Sequence, residues 1–90
     1  MSREKSVEEK IKAKVKRAKG FCVKLHADAL QGRETLDFIG AYRGKPFMIE
    51  IKRPGGVQTP IQGYLVRRAK ANGYIAGTGD SVEEFEELFR

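Results

Sequence analysis

Val7, Ile11, Val15 and Ala18 recur three or four residues apart, and nearly every position between them is charged. That period predicts an amphipathic helix with a strongly basic outer face. Ser6-Val7-Glu8-Glu9 has the S-x-x-E form of a capping box, and Gly20 supplies a stop. From Phe21 to His26 the period falls to two, with Phe21, Val23 and Leu25 on one side and Cys22, Lys24 and His26 on the other. A strand is expected there. Ala27 to Glu34 reads as a loop.

Thr35 to Arg53 predicts a hairpin in which Thr35–Tyr42 runs in, Arg43-Gly44 turns and Lys45–Lys52 runs back. Pro54, Gly55 and Gly56 mark a loop that lasts to Gln58. Thr59-Pro60-Ile61-Gln62 opens a second helix with an N-cap, a proline at the first helical position and a glutamine three residues after the cap. Its expected buried stripe is Ile61, Leu65 and Ala69, and Gly73 ends it. Tyr74–Thr78 predicts a short strand. Ser81-Val82-Glu83-Glu84 caps a last helix that turns Val82, Phe85 and Phe89 inward. The order is α-β-β-β-α-β-α, and a right-handed crossover sets the fourth strand parallel to the third. A small mixed α/β sheet with helices on its faces is the expected fold.

Composition sharpens this picture. Residues 1–90 suffice for a single domain. Leu, Ile, Val and Phe account for 22 of the 90 residues, above the roughly one-fifth below which disorder prevails. A chain this small buries only about 60% of its unfolded surface, so a dimer interface is expected. No apolar run nears the ~18 residues of a membrane span, and the N-terminus has no apolar leader core, so no membrane partner is expected. The lone Cys22 excludes an internal disulfide and a Cys-based zinc cage, which suits a reducing cytoplasm. The net charge of +6 is uneven, with eight Lys or Arg against three Glu in residues 1–19 and five acids against one base from Asp80 to Arg90. A polyanion bound on one side fits that polarity, and so does a solvated lysine-rich helix face.

The hairpin carries the candidate chemistry. A two-residue turn at Arg43-Gly44 places Asp37 across from Glu50, with Cβ atoms about 4.5–5.5 Å apart. Lys52, two residues beyond Glu50, shares their face. The opposite face holds Leu36, Phe38, Phe47, Ile49 and Ile51, while Ile39, Ala41 and Met48 flank Asp37. A ribbon apolar on both faces is covered on both, so two carboxylates and a lysine gather at one end of it. Either Lys52 neutralises the acids as an edge ion pair, or the carboxylates converge on a divalent cation, for which hard Mg²⁺ is suited. A one-residue slip in register would part them.

Asp37, twelve intervening residues and then Glu50-Ile51-Lys52 resemble the D…(D/E)-x-K signature of the PD-(D/E)xK nuclease superfamily. The stretch Leu36–Gly55, with Thr59-Pro60-Ile61-Gln62 and Ala71-Asn72-Gly73-Tyr74, is similar more particularly to the virus-type replication-repair nuclease (VRR-Nuc) family. The likeness spans nearly the whole chain. It implies a restriction-endonuclease-like fold in αβββαβ order with a short C-terminal helix, and a Mg²⁺- or Mn²⁺-dependent phosphodiesterase acting on DNA. On that resemblance Asp37 and Glu50 bind the metal, helped by the backbone carbonyl of Ile51. Lys52 orients the attacking water and steadies the charge on the phosphate. Gln62 acts near the site, and Glu8 is an additional acidic ligand. The family's Pro-Asp is Leu36-Asp37 here, a change in backbone stiffness rather than in a ligand. Stand-alone members of the family resemble Holliday-junction resolvases and act as homodimers. The implied activity is a structure-selective endonuclease for branched DNA, working in the host cytoplasm if the gene is a phage's.

Other readings stand beside these roles. Gln62 also sits where a capping box alone explains it, and Glu9 holds the equivalent position in the first helix, leaving Glu8 the freer acid. Lys12, Lys16 and Lys19 form one helical stripe and Lys10, Lys14 and Arg17 another, with Arg67, Arg68 and Lys70 as a second basic cluster. Lys12, Lys16, Lys19, Arg53 and Arg67 are the candidate DNA contacts, which would bind phosphates without reading sequence. No aromatic platform for stacking bases is evident. His26 and Cys22 read as structural, Tyr64 and Tyr74 as core or rim. A non-catalytic basic DNA-binding module is the alternative from another class, and a sequence-specific or RNA-directed nuclease the alternative within the same one.

Overall fold

In the computed structural model, which describes residues 3–25 and 35–90, helix α1 covers Arg3–Arg17. Ser6 and Glu9, expected as a capping box, therefore lie inside the helix. A cap needs non-helical backbone, and the good helix formers Arg3, Glu4 and Lys5 carry the helix past Ser6. The buried residues of α1 are Val7, Glu8, Ile11 and Val15, whereas Ala18 falls beyond its end and is exposed. The stop also differs by one position. Lys19, at φ 64°, takes the left-handed conformation, and the Lys19 and Gly20 N–H groups donate to the Lys16 and Val15 carbonyls at 2.9 Å. This is a Schellman motif. Gly20 is needed because a Cβ there would collide with the Ala41 carbonyl oxygen.

Strands β1 (Phe21–Lys24), β2 (Phe38–Tyr42) and β3 (Lys45–Ile51) precede α2 (Pro60–Ala71), β4 (Ile75–Gly79) and α3 (Val82–Leu88). In space the sheet runs β1-β2-β3-β4, antiparallel through β3 and parallel from β3 to β4. The mixed α/β sheet is thus as expected. Arg43 (φ 54°) and Gly44 (φ 76°) are both left-handed, the turn form whose twist matches the flanking strands. It sets Phe38 against Ile49 and Gly40 against Phe47, the register expected from the sequence.

α1 and α3 pack on one face of the sheet, over Phe38, Tyr42, Phe47, Ile49 and Ile51. Phe47 and Tyr42 meet Phe85 and Phe89 with ring centroids 5.1–6.0 Å apart. α2 covers β3 and β4 on the other face, where Leu65, Val66 and Ala69 pack with Ala76, Met48 and Tyr74. Leu36 belongs to this second cluster and not with Phe38, because β2 starts only at Phe38 and the alternation does not extend back to it. Ile61 is 51% exposed rather than buried. Gln62, drawn inward by the cap, takes the inner place with Leu65 and Val66.

β1 is an edge strand, and α2 does not reach it. Phe21 and Val23, paired with Ala41 and Ile39, are 59% and 49% exposed. Cys22 on the opposite side packs toward the α1 core, and burial pushes its thiol up to about 11. His26 and the loop Ala27–Glu34 lie outside the described residues. Among the described residues no helix is long and apolar enough to cross a membrane.

Candidate functional site

The last ladder pair of the central ribbon is Phe38 with Ile49, so Asp37, Glu50 and Lys52 meet where the ribbon opens. The Asp37 N–H donates to Glu50 Oε1 at 3.2 Å, and the Asp37 carbonyl accepts the Leu25 N–H at 2.6 Å. The Asp37 backbone is therefore clamped between the end of β1 and the Glu50 carboxylate. Glu50 is 6% exposed and lies beside Thr78 of β4. The Lys52 N–H donates to the Gly79 carbonyl at 2.7 Å, which fixes its backbone to the same strand. Asp37, Glu50, Ile51 and Lys52 line one open cleft of about 290 Å³, with Glu4, Arg53 and Gly56 at its walls. Asp37, Glu50 and Lys52, which the ribbon was expected to gather, thus border one cleft, and Ile51, expected on the core face, borders it too.

Two carboxylates, a main-chain oxygen and water form a donor set suited to a hard cation such as Mg²⁺. Among the described residues no group of three or more His, Cys, Asp or Glu sits close enough to share an ion. Glu8, 4% exposed, bonds Lys12 Nζ at 3.1 Å and Lys24 Nζ at 3.5 Å. Burial pushes its carboxyl up, but the Lys12 hydrogen bond and the charges of Lys24, Lys12 and Lys5 outweigh burial and hold it below the ordinary 4.5. Both lysines also lie over the Phe38 ring, Lys12 at 6.0 Å and Lys24 at 5.7 Å from its centroid. Glu8 lines a cavity of about 180 Å³ that adjoins the cleft and shares Asp37 and Ile51 with it. Glu9 is exposed and lines neither space.

Gln62 serves the α2 cap. Its Oε1 accepts the Thr59 N–H at 3.0 Å, and its N–H donates to Thr59 Oγ1 at 3.2 Å. It lines neither the cleft nor the adjoining cavity. Of the candidate DNA contacts, Lys16, Lys19 and Arg67 are exposed, but α1 and α2 lie on opposite faces, so these cations do not form one continuous surface. Lys12 is engaged by Glu8, and Arg53 Nε donates to Glu4 Oε1 at 2.8 Å beside the cleft.

Three residues that the sequence did not single out line the adjoining cavity, namely Glu4, Lys5 and Lys24. Helical spacing already sets Glu4 one turn from Glu8, and strand alternation sets Lys24 on the Cys22 side. What neither pattern reveals is that this side of β1 faces α1. No protein-family model matches the chain, and no curated protein or solved structure is significantly similar to it.

Proposed function

We propose that the protein is a metal-dependent, structure-selective DNA endonuclease of the VRR-Nuc type, with a restriction-endonuclease-like core, that hydrolyses phosphodiester bonds in branched DNA as a homodimer. The observation that carries this reading is the convergence of Asp37, Glu50 and Lys52 in one cleft at the end of the central ribbon. A hard divalent cation, Mg²⁺ or Mn²⁺, supplies Lewis acidity to a phosphoryl group and makes a hydroxide nucleophile accessible at neutral pH. Asp37, Glu50 and the Ile51 carbonyl would hold that ion. The clamp on the Asp37 backbone and the burial of Glu50 hold the positions from which both acids project, which lessens the ordering left for the moment of binding. Lys52, with its backbone fixed to β4, presents an ammonium to the charge that grows on the phosphate. No histidine base is needed.

The experiment is a panel of four-way, flap, nicked and linear DNAs supplied with Mg²⁺ or Mn²⁺. Cutting of branched substrates is expected to exceed that of linear duplex by at least about tenfold and to vanish with EDTA. Glu50→Ala and Lys52→Ala should each lower cutting by about 10²–10³ while DNA binding persists. Cutting of linear duplex as fast as junctions would remove the branched-DNA assignment. Sedimentation equilibrium should return twice the mass of one chain. The engagement of Glu8 by two lysines favours a second reading, a basic DNA-binding module without catalysis, under which the wild-type protein cuts nothing with either metal.

A further inference from the structure

Glu4 and Arg53 line both the candidate cleft and the cavity beside it, and their ion pair stands between the two. The Arg53 side chain is 85% exposed and that of Glu4 39%, and ion pairs so placed are weak because water competes for both partners. A guanidinium binds phosphate more strongly, through parallel charge-assisted hydrogen bonds. The cavity behind the pair is lined by two further cations, Lys5 and Lys24, and by the acids Glu8 and Asp37; of the two cations, Lys24 is the one held only loosely by Glu8. Its partner Glu8 is bonded more closely by Lys12, at 3.1 Å against 3.5 Å. Lys24 can therefore turn toward an incoming anion without leaving a buried carboxylate unpaired, the costly outcome for such a group. About 180 Å³ holds a phosphate group with several waters.

Resting on the DNA-nuclease reading, we propose that this cavity seats the phosphate next to the reacting one on the bound strand. Arg53 and Lys24 are its ligands, and the Glu4 carboxylate stands in for that phosphate on Arg53 until DNA arrives. Glu4 is then an internal competitor, and its removal strengthens binding by more than the loss of one negative charge explains. Glu9, exposed on the same helix, provides the matching charge control.

The test is fluorescence-anisotropy titration of a labelled four-way junction in EDTA, with wild type, Glu4→Gln, Glu9→Gln, Arg53→Ala, Lys24→Ala and the Glu4→Gln/Arg53→Ala double variant. Glu4→Gln should lower Kd about three- to tenfold, because Arg53 no longer has to leave a carboxylate to reach the phosphate. Glu9→Gln should change Kd less than about twofold. Lys24→Ala should weaken binding and make the salt slope shallower. In the Arg53→Ala background the gain from Glu4→Gln should disappear. A Glu4→Gln effect equal to that of Glu9→Gln, or one that survives without Arg53, overturns the proposal even when the wild type binds DNA well. A wild-type protein that binds no DNA overturns the nuclease reading beneath it. All the substituted side chains are partly or fully exposed, and circular dichroism of each variant verifies that the fold is intact.

Discussion

The Glu8 carboxylate is nearly sealed from water yet stays ionised, because Lys12 and Lys24 hold it. Its pKa is lowered on folding, so its contribution is present in full above the ordinary value and is lost as pH falls through the lowered one. Glu86 follows the same sign, since the bonds from Tyr42 and Lys14 prevail over burial. Stability in urea should therefore fall between about pH 5 and pH 3, and Glu8→Gln should flatten that fall. At neutral pH Glu8→Gln should cost about 1.5 kcal/mol, at the low end for a charged hydrogen bond because both lysines can turn to water. Cys22 offers a second check. A thiol at about 11 against an ordinary 9.0 holds less thiolate at pH 8, and after the greater nucleophilicity of a more basic thiolate is allowed for, iodoacetamide should alkylate it about tenfold slower than in the urea-unfolded chain. At this scale the nearness of Asp37 to Glu50 was legible from the two-residue turn, which sets the register up to Phe38 and Ile49; that the Asp37 N–H bonds the Glu50 carboxylate was not, because the strand ends before Asp37. The bonds of Glu8 to Lys24 and of Glu4 to Arg53 were not, since they join positions 16 and 49 residues apart and depend on how α1 docks.

Among the elements, β1 is held to β2 through an unusually close approach at Gly40. A Cβ there would strike the Phe21 carbonyl and the Phe47 ring. Gly40→Ala should cost about 2 kcal/mol or more in denaturant unfolding, the cost of overpacking a filled site, and should detach the edge strand first in amide exchange. The α2 cap is testable independently of catalysis. Thr59→Ala and Gln62→Ala should each cost about 1 kcal/mol, while Gln62→Glu, which can still accept the Thr59 N–H, should cost little. Helix and strand types were readable from period alone, and their order was recovered in full. The start of α1 was not, because a capping signature inside a run of good helix formers is silent. Nor was the outward side of β1, because an apolar alternation does not state which face of a sheet its helices leave uncovered.

Across the whole molecule, the basic N-terminal and acidic C-terminal segments do not lie at opposite poles. Lys14 bonds Glu86 at 3.2 Å, and the groove between α1 and α3 sets Lys10, Lys14 and Arg17 opposite Asp80 and Glu83. One of the two lysine stripes on α1 is thus largely answered within the chain, and the one-sided polarity expected from the sequence is reduced. Under the proposed DNA-nuclease function, with about four phosphate contacts, raising salt from 50 to 200 mM should weaken DNA binding roughly a hundredfold. Neutralising Glu86 should steepen that dependence by releasing Lys14 and Arg43, both within 3.7 Å of its carboxylate.

α3 closes over Tyr42 and Phe47 with Phe85, while Glu86 takes the Tyr42 hydroxyl at 2.8 Å. A protease nick near Gly79-Asp80 would strip that stopper away, baring two aromatic rings and unmasking two cations at one stroke. The clipped species would be both greasy and more cationic, prone to co-precipitate with any nucleic acid offered. Its turbidity could pass for affinity, so intact mass at the carboxyl end belongs among the controls of every DNA titration on this protein.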